Sequence, residues 1–386
     1  MSRRICGAIL LLFSLVAAAC SSAATGSDQA TPIEDVEIPS AIASQDEQDA
    51  APTVQINVAA LGTIDSSPVW IADSQGFFEE VGIEVNFIPV SESDEVLDAV
   101  LNGRADAVAI SPIPVIKALA RGEEIRVSNY LNATSPGAAR RAMTLVTTEF
   151  FEVEDGCDLL GTSIGVDSAD SLVALAIQEM VENADCGEVD PDADDETTDE
   201  QTDGEGEDTD SEESEEDQIV IDAPISERRI GQINFVEASL GTQLDLLEDR
   251  VVDAVGVFEP FRARAEERGF VERTPLDNEL CRGASRCPIT IIGTTSEWAD
   301  GNQQLLDDFN GALNQAMEWM EAWDIAYRAE LVSCCGITER DAGELVLADW
   351  IGSTATLEAD MSRLVAVLRR QGRIEDQRLD LSSFIG

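Results

Sequence analysis

The side chains able to do chemistry in this sequence are mostly carboxylates and thiols. Its 386 residues include no histidine, which excludes His-ligated zinc, Ser-His triads and Cys-His pairs together. Lys117 is the one lysine among 24 basic residues. Residues 188–217 carry 18 acidic side chains and no basic one, so a calcium loop can be tested there directly. Counting from Asp190, positions three and five are Asp192 and Asp194, but position six is Asp195 where glycine is needed, and position twelve is Gln201. The EF-hand pattern fails. The tract reads as a solvated loop, too polar to offset the entropy of ordering it.

Six cysteines follow the N-terminal leader: Cys157, Cys186, Cys281, Cys287, Cys334 and Cys335. In an exported chain an even number favours disulfides, with 15 connectivities open. Cys157 and Cys186 flank a strand-helix unit and are candidates to close the base of the acidic insert. Cys281 and Cys287 are candidates to close a short loop; Cys334 and Cys335 then form a vicinal pair or stay reduced. None has Cys-x-x-Cys spacing, so neither a structural metal nor a cofactor is expected.

The leader itself runs from Arg3-Arg4 through an apolar stretch, Ile5 to Val16, to Ala17-Ala18-Ala19-Cys20. A basic start, a short apolar run and small residues before a cleavage point make a secretory signal over residues 1–20, too short for a lasting membrane span. Small residues directly before Cys20 resemble a bacterial lipobox, which would make Cys20 the lipidated first residue and hold the protein at the extracytoplasmic face of the cell membrane. Ordinary signal cleavage is the alternative. Residues 21–51 read as a disordered tether spanning roughly 30 Å as a coil.

The net charge of −53 excludes nucleic-acid phosphate as a partner by bulk electrostatics. Setting aside the leader, the tether and the insert leaves 52 acids against 22 bases. A body so acidic suits a high-salt habitat, where screening weakens self-repulsion, or is simply an acidic secreted protein.

The elements that must position these residues alternate from Val54 onward. Val54 to Leu61, Ile83 to Val90, Ala105 to Ile110 and Ile125 to Leu131 read as strands, with helices from Ser67 to Val81, Ser93 to Leu101 and from Pro114 between them. A second set runs Ser163 to Val166 (strand), Ser168 to Val181 (helix), Arg229 to Val236 (strand), Leu240 to Arg250 (helix) and Val251 to Val257 (strand). The expected fold is α/β, with mostly parallel sheets in two lobes, a hinge made by residues 132–148 and 287–295, and a helical C-terminal region in which Trp298, Trp319, Trp323 and Trp350 pack into cores. Residues 52–148 plus 288–386 would form the first lobe and 149–287 the second. The two halves echo each other: DAVLNGRADAVAISP over residues 98–112 and DLLEDRVVDAVGVFEP over residues 245–260 each run from a helix through Asp-Ala-Val into a strand and a proline.

Residues 62–85, GTIDSSPVWIADSQGFFEEVGIEV, then Leu101-Asn-Gly-Arg-Ala-Asp106-Ala and Val252-Asp-Ala-Val-Gly-Val-Phe-Glu-Pro260, resemble the substrate-binding proteins of nitrate, sulfonate and taurine ABC importers, a family that also includes binders of thiamine pyrimidine precursors. The similarity covers most of residues 54–350. It implies a type-2 periplasmic-binding fold closing on a small ligand, delivered to an ABC permease. The acidic insert and the six cysteines depart from the pattern.

Geometry and that resemblance together nominate ligand contacts. Gly62, Thr63, Ser66 and Ser67 lead into a helix N-terminus whose free N–H groups favour an anion, with N-capping as the competing role. Trp70 lies on that helix, as a core or ligand-facing residue. Ser111 follows the third strand; Asn132 and Thr134 follow the fourth; Asp167 and Ser168 precede a helix of the second lobe. Phe258 could stack on a planar ligand, whereas Glu259 would repel an anion unless it faces away, which keeps an aminated ligand open. Arg140-Arg141 could pair with a sulfonate or nitrate, or serve as surface counter-charges. The expected role is capture without turnover. A biosynthetic enzyme on the same fold is the alternative, weakened by the leader and by the lack of a visible nucleophile and base.

Overall fold

The computed structural model describes residues 53–90, 93–135, 143–186, 233–334, 337–375 and 379–386. The leader with Cys20, the tether, Arg140 and Arg141, the acidic insert and Cys335 lie outside the described residues, as does the side chain of Cys334.

The first half of the body alternates strand and helix: β1 (Val54–Ala60), α1 (Ser67–Ser74), α2 (Phe77–Glu80), β2 (Ile83–Ile88), α3 (Ser93–Leu101), β3 (Ala107–Ile110), α4 (Pro112–Ala120) and β4 (Ile125–Thr134). The helix expected over 67–81 is two pieces, because Gly76 takes a left-handed conformation (φ 80°) between them, which glycine adopts without a steric cost.

The second half contains β5 (Met143–Thr147), β6 (Ser163–Val166), α5 (Leu172–Asn183), β7 (Asn234–Glu237), α6 (Leu240–Glu248), β8 (Ala254–Phe258), α7 (Phe261–Glu267), β9 (Val271–Pro275) and α8 (Leu276–Leu280). The chain then returns through β10 (Cys287–Thr295) to α9 (Ser296–Gly301), α10 (Gln303–Ala322), α11 (Asp324–Cys334), α12 (Glu339–Glu344), β11 (Asp349–Trp350) and α13 (Leu357–Arg370).

Among the described residues these strands form two sheets, ordered β11-β4-β10-β3-β1-β2 and β7-β6-β8-β5-β9. The sheets are mixed, not mostly parallel. β1 pairs in parallel with β2 and β3, and β6 with β7 and β8, as helical crossovers require. The strands flanking the passages between sheets, β4, β5 and β10, enter antiparallel. β5 belongs to the five-stranded sheet, so the first lobe does not reach residue 148.

The echoed sequences do the same work in both lobes. Asp106 Oδ2 accepts from the Asn57 backbone N–H on β1 at 2.8 Å, and Asp253 Oδ2 accepts from the Ser163 backbone N–H on β6 at 2.8 Å. Each carboxylate thus pins the start of its strand to the parallel neighbour. Three residues earlier, Gly103 (φ 67°) and Arg250 (φ 59°) make the same left-handed turn.

The core is continuous across the lobes. Met143, Leu145 and Val173 of the second lobe pack in one buried cluster with Val108, Ile116 and Ile291 of the first, and with Leu364 and Leu368 of α13. Trp298, Trp319 and Trp350 pack half-buried on a second cluster built around Phe309, Leu313 and Tyr327, whereas Trp323 is 62% exposed, contrary to expectation. Gly156 lies so close to α5 that a Cβ there would meet the Met180 carbonyl oxygen at 2.3 Å.

Two disulfides are formed, Cys157–Cys186 and Cys281–Cys287. The first joins residues 29 apart, and loop closure over that length restricts the unfolded chain by about 3–4 kcal/mol. The double substitution Cys157→Ser, Cys186→Ser is expected to lower unfolding stability by about that amount, read as a shift of the denaturant midpoint. The second bridge closes the passage from α8 to β10. Among the described residues no helix is long and apolar enough to cross a membrane.

Candidate functional site

The carboxyl ends of the parallel strands in both lobes open onto one cavity of about 600 Å³, the size and place at which open α/β sheets hold small ligands. The loop after β1 supplies Gly62, Thr63, Asp65 and Ser66, and Ser111 follows β3. From the other lobe, the loop after β6 supplies Asp167 and Ser168, and the end of β8 supplies Phe258 and Glu259. Leu97, Ile113 and Ile289 make apolar walls.

Four expected contacts lie elsewhere, among them Thr134, which is buried at the end of β4 and not in a loop beyond it. Ser67 is fully buried and shares a 2.8 Å hydrogen bond with the Tyr327 hydroxyl. Trp70 stacks on Phe87 of β2, ring centroids 4.1 Å apart. Asn132, also fully buried, sits behind the cleft wall. Its Nδ2 donates to the Asp65 backbone oxygen at 2.9 Å, so it positions the loop that bears Asp65.

Two buried carboxyls dominate the electrostatics of the cavity. Burial pushes the Asp65 carboxyl up to about 7, with the Glu259 charge adding to the shift. Burial likewise raises Asp167, against hydrogen bonds from Ser171 and nearby backbone amides. Asp167 Oδ1 is buried and has no partner among the described residues. The Glu259 carboxylate is occupied by protein donors: Oε1 accepts from Arg262 Nε at 2.6 Å and from the Val346 N–H at 2.9 Å, and Oε2 from the Ala263 N–H at 3.3 Å. Of the three cations that line the cavity, Lys117, Arg121 and Arg264, two are engaged by acids. Lys117 pairs with Asp170, and Arg264 approaches Asp341 at 3.4 Å.

The helix N-termini are poorer anion sites than the sequence implied. Pro112 and Pro114 remove two of the first three N–H donors of α4, and Pro68 removes one from α1. Ser111 and Ser66 make no side-chain capping bond.

Asp65, Lys117 and Asp170 were not singled out as contacts from the sequence. Asp65 lies within the quoted loop, and the single lysine, inside the helix expected from Pro114, is the signal available for Lys117.

The topology and cleft bear comparison with known proteins. The alkanesulfonate-binding protein SsuA from Xanthomonas axonopodis pv. citri, bound to MOPS, superposes over 87% of this chain and 99% of its own, with a TM-score of 0.62 and 13% identity. This chain has the periplasmic-binding-protein fold. A Candida albicans protein, CA3427, described as having the generic form of that fold, matches over 87% of this chain and 96% of its own (TM-score 0.59, 13% identity). The nitrate-binding protein NrtA from Synechocystis PCC 6803 matches over 84% and 83% respectively (TM-score 0.58, 12% identity). A family model described as the NMT1-like family matches residues 49–139. The resemblance to importer binding proteins is borne out by these matches. Comparison with curated proteins finds no sequence match.

Proposed function

We propose that this protein is the extracytoplasmic solute-binding component of an ABC importer, held to the membrane by lipid on Cys20, and that it captures a small aminated solute without turnover. The observation that carries the ligand class is the pair of carboxyls, Asp65 and Asp167, that line the cavity while two of its three cations, Lys117 and Arg264, are engaged by other acids. A buried acceptor with no donor costs roughly 1–3 kcal/mol, which a ligand ammonium or amine would recover. Nitrate and plain alkanesulfonates offer these carboxyls no donor. A zwitterion such as taurine does, and so does an aminated hydroxymethylpyrimidine, with Phe258 placed to stack on a planar ring.

A thermal-shift screen with nitrate, ethanesulfonate, taurine and the aminated hydroxymethylpyrimidine tests this directly. A ligand that binds only the native state raises its melting temperature, by about 2.7 kcal/mol of stability at 100 times its Kd. One of the two aminated compounds should raise the melting temperature while nitrate and ethanesulfonate leave it unchanged; a shift with nitrate alone would overturn the ligand class.

A further inference from the structure

One seam of the cleft is closed by charge. Lys117, on α4 of the first lobe, pairs with Asp170 in the loop between β6 and α5 of the second, and both side chains line the cavity. Arg373, just beyond α13, holds the other oxygen of Asp170 at 2.5 Å and donates to the Ala169 carbonyl at 2.9 Å and to Gln178 Oε1 at 3.1 Å. Further along α5, Glu179 meets Arg363 at 2.9 Å, Arg370, and Gln371 at 3.2 Å. The helix bearing these arginines packs through Leu364 and Leu368 into the shared core, and the chain end beyond it pairs with β4, where the Val127 N–H donates to the Phe384 carbonyl at 2.7 Å. A strap fixed to the first lobe therefore grips the second.

The two grips differ in their access to solvent. Glu179 is 0% exposed, whereas Lys117 and Asp170 are 25% and 45% exposed. Salt at 1 M shortens the screening length to about 3 Å and weakens exposed pairs, while buried pairs are screened far less. We propose that Lys117–Asp170 is a salt-breakable latch across the cleft, with the Glu179 contact to α13 as its fixed side, so that ionic strength regulates how readily solute enters and leaves. Its purpose rests on the solute-binding function proposed above; its existence does not.

The test uses the ligand-free protein, so its outcome is separate from that of the thermal-shift screen. Hydrogen exchange of residues 168–175 is compared between the native chain and Asp170→Asn at 50 mM and 2 M NaCl, with Lys117→Gln as the second variant. At low salt the variants should exchange up to about fivefold faster than the native protein, the factor that a partly exposed ion pair can supply. In 2 M NaCl that difference should collapse, because the native latch is then already screened. Diffuse repulsion between the acidic lobes is nearly common to all three proteins and largely cancels in the comparison. Equal exchange at 50 mM, or a difference that persists at 2 M, overturns the latch. Should Asp170→Asn fail to fold, Lys117→Gln decides by the same two measurements.

Discussion

Replacing Asp65 by asparagine is expected to abolish the pH dependence of binding and to make the protein more stable in alkali. In the native protein the Asp65 carboxyl titrates at about 7, so the fraction able to pair with an ammonium or amine rises about tenfold between pH 6 and pH 8. Affinity for an aminated solute should rise by the same factor over that interval and then level off. Asp65→Asn keeps the shape and loses the charge. Its affinity should be roughly a hundredfold lower at pH 8, the cost of a lost hydrogen bond to a charged group, and flat with pH. Stability moves the opposite way. Because folding raises this carboxyl above its ordinary 3.8, its favourable contribution is complete below pH 4 and is lost as pH climbs through 7. The variant should therefore gain stability over the native protein progressively from pH 4 to 8, by a few kcal/mol at most. Isothermal titration and thermal melts across pH 5–8 read both effects, and an unchanged binding profile in the variant would remove Asp65 from the site.

The fold was legible in the sequence where local patterns carried it. Apolar β-rich runs marked β1, β3, β4 and β6, and the Asp-Ala-Val echo marked two equivalent lobes because Asp106 and Asp253 have one physical task, accepting a backbone N–H from the neighbouring parallel strand. The directions of β4, β5 and β10 were not legible, since a strand's periodicity is the same whichever way its partner runs. The site was legible as loops at strand ends: Gly62, Thr63, Ser66, Ser111, Asp167, Ser168, Phe258 and Glu259 all reach the cavity. What escaped were roles set by distant partners. Asn132 supports the Asp65 loop from 67 residues away, the Glu259 carboxylate is occupied by Arg262 and the Val346 amide, and Lys117 meets Asp170 only because the two lobes come together.

The largest stability loss is expected where α13 grips α5. Glu179 is 0% exposed, while the side chains of Arg363 and Arg370 that meet it are 22% and 43% exposed. The two sides of this contact are therefore unequal. Removing both arginines, as in Arg363→Met with Arg370→Met, leaves a carboxylate buried with only Gln371 beside it, and uncompensated buried charges of this kind cost about 3–5 kcal/mol. Glu179→Met removes the carboxylate instead. The arginines can then turn their heads to water along stems that still pack, so the loss should be smaller, roughly 1–2 kcal/mol. Denaturant unfolding of the two variants should rank them in that order, with the double arginine variant the weaker. The reverse order would mean that the arginines, not the carboxylate, bear the burial. The same melts in 2 M NaCl should show little change at this contact, because its acidic partner is out of reach of screening ions. A fixed grip at Glu179 is what lets the exposed pair at Lys117 open without separating the lobes.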